Sequence, residues 1–252
     1  MAEQHQVNFF ITGGSRGIGR SIVLKLVREG HNCAFTYNSN EDAARETIAM
    51  AHDIEKKSEV ECYQMDVRQS SDVDRVADDA IERFGTISGL VNNAAIVRNN
   101  AAALMSDDEW DDVIAANLSG VFYSIRSFLM HFIGNRFGRI INISSLAQDG
   151  ASGQINYAAS KAGLVGMTKA LAREYGAKGI TCNIVAVGFV ETDMTRDHLA
   201  QKLADIWMEY CPMKRVGTPE EIASIVHYLT IQEAGFINGE IIRVSGGLTY
   251  IP

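Results

Sequence analysis

Seven short apolar runs alternate with helix-like stretches along the whole chain, and that alternation is the strongest constraint on its fold. The strand-like runs are 7–12, 33–37, 60–64, 89–91, 139–143, 180–186 and 241–244. The stretches between them repeat apolar residues at helical spacing, as Ile22, Val23, Leu26 and Val27 do. Strands joined each time through a helix run parallel, because a parallel connection needs a crossover of a dozen or more residues. There is no linker and no internal repeat. The pattern predicts an α/β chain: a single domain over residues 1–252, built on one doubly wound parallel sheet of about seven strands flanked by helices. Glycine is frequent (22) and proline rare (3), as many tight strand–helix turns require.

Doubly wound sheets bind ligands at the carboxyl edge of their strands. Here the first strand runs into Gly13-Gly14-Ser15-Arg16-Gly17-Ile18-Gly19 and then into a helix. Bare glycines let backbone approach a pyrophosphate, and a helix N-terminus offers N–H groups and positive dipole. The turn therefore predicts a dinucleotide contact through Gly13, Ser15, Arg16, Gly17, Ile18 and Gly19. A free ribose 2′-hydroxyl is normally met by a carboxylate at the end of the second strand. That end reads Asn38-Ser39-Asn40, with no acid before Glu41. Small hydrogen-bonding groups plus the Arg16 guanidinium favour a 2′-phosphate instead, so the expected cofactor is NADP(H). Asp66, followed by Val67 after the third strand, suits either an adenine amino group or a turn. Asn93 and Ala94 follow the fourth strand at the same edge.

The stretch Ser144 to Lys161 joins a strand-like run to a helix-like one. Tyr157 and Lys161 stand four residues apart, on one helical face. An ammonium at about 4 Å supplies roughly 4 kcal/mol at an effective dielectric of 20. That is about what moving a phenol from pKa 10 toward neutral requires. Ser106 and Glu109 have capping-box spacing at the start of a helix over 107–131. Asn117 lies within that helix and reads equally as a functional amide or as a residue satisfied by its neighbours.

The net charge of −8 and pI near 5.3 argue against a general nucleic-acid or membrane surface. Cys33, Cys62, Cys182 and Cys211 show no metal or disulfide spacing, and the six histidines are scattered, so no metal site is expected. The N-terminus lacks a basic-then-apolar signal and no apolar run reaches membrane-spanning length, which predicts a cytoplasmic location.

The order T-G-G-S-R-G-I-G at 12–19, D-V at 66–67, N-N-A at 92–94, Asn117, Ser144, Y-A-A-S-K at 157–161 and G-F-V-E-T at 188–192 resembles the short-chain dehydrogenase/reductase family. Within it the chain is most similar to 3-oxoacyl-(acyl-carrier-protein) reductases. The resemblance implies a single-domain Rossmann fold and a catalytic tetrad of Asn117, Ser144, Tyr157 and Lys161. Tyr157 would donate the proton, Ser144 would hold the carbonyl oxygen, and Lys161 would bind ribose and lower the tyrosine pKa. Asn117 would hold a water, while Val190 and Thr192 would meet the nicotinamide. It further implies a homotetramer on the helices at 107–131 and 155–176, and an acyl-carrier-protein-bound substrate docked by Arg136 and Lys178.

Two positions depart from the family pattern: Ala95 stands where glycine is usual, and Val187 where proline is usual. Both bear on cofactor-side geometry. Ala101 to Ala103 replace larger side chains and are expected to widen an acyl path, or simply to lead into the next helix. A substrate lid is expected around 190–216. The competing functions are reduction of a free ketone, sugar or steroid, and a catalytically silent cofactor-binding subunit.

Overall fold

The computed structural model describes residues 7–192 and 205–251. Its strands are β1 (Asn8–Thr12), β2 (Asn32–Tyr37), β3 (Val60–Gln64), β4 (Gly89–Asn92), β5 (Gly138–Ser145), β6 (Ile180–Val187) and β7 (Ile241–Val244). They form one parallel sheet in the order β3-β2-β1-β4-β5-β6-β7. Every expected strand is present, with ends shifted by at most two residues. Successive residues of a strand point to opposite faces, and the core divides accordingly. Phe9 and Ile11 pack with α1 (Gly17–Arg28), α2 (Glu41–Ile54) and α7 (Pro219–Thr230). Phe10 packs on the other face with α3 (Ser70–Phe84), α5 (Gly120–Asn135) and α6 (Ile155–Tyr175).

The strand order places the site. From β1 the chain winds outward to β2 and β3, then returns to set β4 on the opposite side of β1. The carboxyl ends of β1 and β4 are thus adjacent, with Thr12 paired to Asn92. A crevice opens where the winding reverses, and the turns after both strands line it.

α4 (Asp107–Ile114) starts at the expected capping box: the Ser106 side chain accepts from the Glu109 N–H, and Glu109 reaches back to the Ser106 N–H. The predicted plain helix is interrupted by one π-helical turn, Ala115–Ser119, before α5 continues. The turn carries Asn117, which is fully buried. Residues 107–135 are the one described stretch long and apolar enough to cross a membrane. In this fold Val121, Ile125, Phe128 and Phe132 of that stretch pack into the core. Much of the expected lid, residues 193–204, lies outside the described residues. Val190, at its start, bridges to Gly217.

At the amino edge of the sheet, His31 stacks edge-on to Phe9 at 5.3 Å and lies 6.0 Å from the His227 ring of α7. His31 Nδ1 and His227 Nε2 are buried without a hydrogen-bond partner. Burial lowers both pKa values; the His227 charge lowers that of His31 further, while Glu29 raises both and Lys25 lowers that of His227. A folded pKa below the unfolded value of about 6.5 means the unfolded chain binds more protons on acidification. This pair therefore leaves stability flat above about pH 6.5 and lowers it as pH falls through their depressed values. Melting curves from pH 7.5 to 5 should show a steeper fall for wild type than for a His31→Gln, His227→Gln double variant. Parallel curves would refute the contribution.

Candidate active site

The glycine turn is held from both sides. Gly14 N–H donates to Thr36 O at 2.9 Å and Gly13 N–H to Thr36 Oγ1 at 3.2 Å. From β4, the Asn93 and Ala94 N–H groups both donate to Thr12 Oγ1 at 3.0 Å. Asn93 Nδ2 donates to Thr12 O and Gly13 O. The Asn93 amide is thereby committed to shaping the turn. Gly13 and Gly17 have φ of +70° and +55°, which only glycine adopts without cost. A Cβ on Gly19 would lie 2.0 Å from Gly13 O. Ala95 does not share that conformation: among the described residues the only non-glycine positive-φ positions are Arg136 and Lys214. Val187 is the last residue of β6 and pairs with Ser145. Neither departure distorts the backbone.

A cleft of about 510 Å³ runs along this edge. Of the expected cofactor-contacting residues, every one lines it: Gly13, Ser15, Arg16, Gly17, Ile18 and Gly19; Asn38 and Ser39; Asp66 and Val67; Asn93 and Ala94; Tyr157, Lys161, Val190 and Thr192. Arg16, Asn38 and Ser39 are exposed at the rim. Among the described residues the Arg16 guanidinium has no partner. A bare glycine cradle and, among the described residues, a free guanidinium near Asn38 and Ser39 fit a dinucleotide. Asp66 is already engaged: Arg68 forks onto both its oxygens at 2.7–3.1 Å and holds its carboxyl below the usual range. Arg68 also reaches Asp112 at 2.6 Å.

Two of the expected catalytic residues, Ser144 and Asn117, are engaged with other groups of the chain. Ser144 is buried, and its hydroxyl donates to Gln148 Oε1 at 2.9 Å, with Lys161 O at 3.5 Å. Strand alternation explains this, because Ser144 shares the face of Ile140 and Asn142, beneath α6. The next residue, Ser145, is half-buried, lines the cleft together with Tyr157 and accepts from the Ala147 N–H at 3.1 Å. Ser145 is the site residue that the sequence reading missed. The Ser-Ser doublet at a strand end was the signal, and alternation along β5 separates the two.

Asn117 does not line the cleft. Its Nδ2 donates to Ile96 O at 2.9 Å, and its Oδ1 accepts from Ile96 N–H at 2.8 Å. Its amide thus fixes the turn after β4, with Ser160 Oγ at 3.4 Å from the same Nδ2.

Lys161 Nζ donates to Ile143 O at 2.8 Å and lies 5.5 Å from the centre of the Tyr157 ring. The expected lowering of the tyrosine pKa is reversed. Burial pushes the phenol up to about 12 against a smaller opposing effect of the Ser145 hydroxyl, and burial pulls Lys161 down to about 8. Desolvation disfavours the charged form of each group, which raises the phenol and lowers the ammonium.

Ser144 does line the cleft beside Ser145, whereas two other expectations fall outside it. Ala101, Ala102 and Ala103 are exposed in a turn that leads to α4 and do not line it, so the wider acyl path is not found there. Arg136, the left-handed C-cap of α5, and Lys178 are exposed at the amino ends of β5 and β6. The eight residues of β5 span about 25 Å, which separates these cations from Tyr157 of the same chain.

A parallel doubly wound sheet with a glycine cradle and a tyrosine–serine–lysine floor defines a dinucleotide-dependent oxidoreductase. The family model described as Enoyl-(Acyl carrier protein) reductase matches residues 13–249. The chain is 42% identical over 241 residues to a 3-oxoacyl-[acyl-carrier-protein] reductase of Staphylococcus epidermidis, covering 94% of this chain and 97% of that one. The corresponding Salmonella typhimurium protein is 40% identical over 239 residues, covering 94% and 95%. Among solved structures, levodione reductase superposes with a TM-score of 0.91 at 30% identity, covering 96% of each chain. A short-chain dehydrogenase/reductase of Serratia marcescens gives 0.89 at 32%, covering 98% of each. The chain belongs to the short-chain dehydrogenase/reductase family, whose members use a nicotinamide cofactor.

Proposed function

We propose that the chain reduces the keto group of a 3-oxoacyl thioester, carried on an acyl-carrier protein, to the 3-hydroxyacyl thioester with NADPH. The observation that carries this reading is the single cleft that brings Ser145, Tyr157 and Lys161 together with the glycine cradle, in a chain about 40% identical to reductases of that name. The glycine cradle and the Arg16 rim would hold NADPH, which would supply hydride for the keto carbon. Ser145 and Tyr157 hold the carbonyl oxygen, and Tyr157 gives its proton to the oxygen as negative charge develops. A phenol held near pKa 12 is protonated at neutral pH, as a proton donor must be. Lys161, fixed by Ile143 O, supplies positive charge beside the phenol and a donor for ribose hydroxyls.

Levodione reductase, a similar structure, supports a second reading, reduction of a free cyclic ketone. Comparing kcat/KM for an acetoacetyl thioester and for a cyclic diketone decides between them. Preference for the thioester supports the proposal, and preference for the diketone overturns it.

The 2′-phosphate is read by Arg16, Asn38 and Ser39. Arg16→Ala should weaken NADPH binding by about 1.5–3 kcal/mol, the worth of a charged hydrogen bond, and change NADH binding little. Equal loss for both cofactors in a fluorescence titration would contradict this role.

The assembly we propose is a cytoplasmic homotetramer. Trp110, Phe122 and Met130 of the 107–135 helix and Ile155 of α6 are exposed apolar residues in support. Antiparallel packing of these helices across a two-fold axis would bring Arg136 and Lys178 of one subunit toward the cleft of another, where an acidic carrier would dock.

A further inference from the structure

Tyr157 sits on the third residue of α6, and the residue before it makes the contacts that set where that helix begins. Asn156 is fully buried. Its Oδ1 accepts from the Tyr157 N–H at 2.7 Å. Its Nδ2 donates to Arg98 O at 3.1 Å and to Glu109 O at 3.0 Å. One amide therefore joins the catalytic helix, the loop after β4 and the first turn of α4, with both N–H groups used. Gln154, at the N-cap position of α6, makes no capping bond of its own, so an N–H at the helix start is served by Asn156.

The contact is part of a longer seam. Gln154 Nε2 donates to Asn99 Oδ1 at 3.0 Å, and the Asn100 N–H donates to Gly153 O at 2.9 Å. Residues 98, 99 and 100 are thus each bonded to the segment 153–156. The same loop is fixed at Ile96 by Asn117, and Ile96, Val97 and Arg98 line the same cleft as Tyr157 and Ser145.

We infer that Asn156 is a positioning residue: it holds Tyr157 and the 96–100 loop in one register, so the phenol meets a carbonyl in the cleft they share. The inference rests on the reading of Tyr157 as proton donor and holds for any carbonyl substrate the enzyme reduces. Only Asn or Gln presents two donors and an acceptor on one planar group, and the extra methylene of Gln would displace them. Asp keeps the acceptor but sets a carboxylate against two carbonyls. A misplacement of about 1 Å at a reacting group costs about 10²-fold in rate.

The test uses the full chain and whichever of acetoacetyl thioester or cyclic diketone the wild type reduces, so failure of the substrate reading does not decide it. Asn156→Ala and Asn156→Asp should lower kcat by about 10- to 100-fold, with the NADPH dissociation constant within about two-fold of wild type. Asn156→Ser, which keeps one donor and one acceptor, should recover part of the loss. Gln154→Ala, with Asn156 intact, should fold as wild type and lose less kcat than Asn156→Ala. Two results would overturn it: kcat unchanged in Asn156→Ala, or kcat and cofactor affinity falling together with melting temperature and no recovery in Asn156→Ser. Where Asn156→Ala folds poorly, an Asn156→Asp enzyme whose kcat equals wild type would also overturn it.

Discussion

Tyr157→Phe should lower the reduction rate by about 10²–10⁴-fold, the range for removing a positioned general acid, and leave cofactor binding intact. The substitution keeps the ring, with Lys161 Nζ 5.5 Å from its centre, and removes only the hydroxyl. Tyr157 is half-buried and lines the open cleft, so loss of its hydroxyl should change melting temperature little. Stopped-flow NADPH oxidation alongside a binding titration separates the two effects. A variant retaining most of its rate would remove Tyr157 from the chemistry.

Ser145→Ala should cost about 10²–10³-fold in kcat, as loss of one donor to a developing oxyanion does elsewhere. The two adjacent serines give a sharp internal comparison. Ser145 faces Tyr157 in the cleft, whereas the Ser144 hydroxyl is turned to Gln148. Ser144→Ala leaves Gln148 Oε1 without that donor, and Gln148 Nε2 is already buried without a partner. Its penalty should therefore appear in melting temperature, by about 1–3 kcal/mol for an unsatisfied buried group, with kcat changed far less. Steady-state rates and melting curves of both variants decide the assignment. A larger kcat loss in Ser144→Ala would return the role to that residue.

The fold was legible because its determinants are local. Short apolar runs, a glycine turn at the end of β1 and caps such as Ser106–Glu109 each carry their own physical signature. The cofactor edge was legible for the same reason, since strand ends fix which residues line it. What stayed hidden depends on which way side chains turn. The Ser144–Ser145 ambiguity needed the strand's face relative to α6, and Asn117 needed the π turn that directs its amide to Ile96. The tyrosine pKa was misread because the sequence argument counted the attraction of Lys161 and left out burial, which dominates both groups. Ala101 to Ala103 were placed by sequence proximity to β4, and the seam between 98–100 and 153–156 keeps that turn on the outside. The distance of Arg136 and Lys178 from the cleft is a consequence of sheet direction, which separates β5's first residue from its last.

The central claim is reduction of a 3-oxoacyl thioester by NADPH in this cleft, and the most direct measurement is the stoichiometry of a single reaction. The purified chain, NADPH and a carrier-bound acetoacetyl thioester should consume one NADPH per 3-hydroxybutyryl thioester formed, with the product identified by mass spectrometry. No NADPH oxidation, or oxidation without a 3-hydroxyacyl product, would contradict the account.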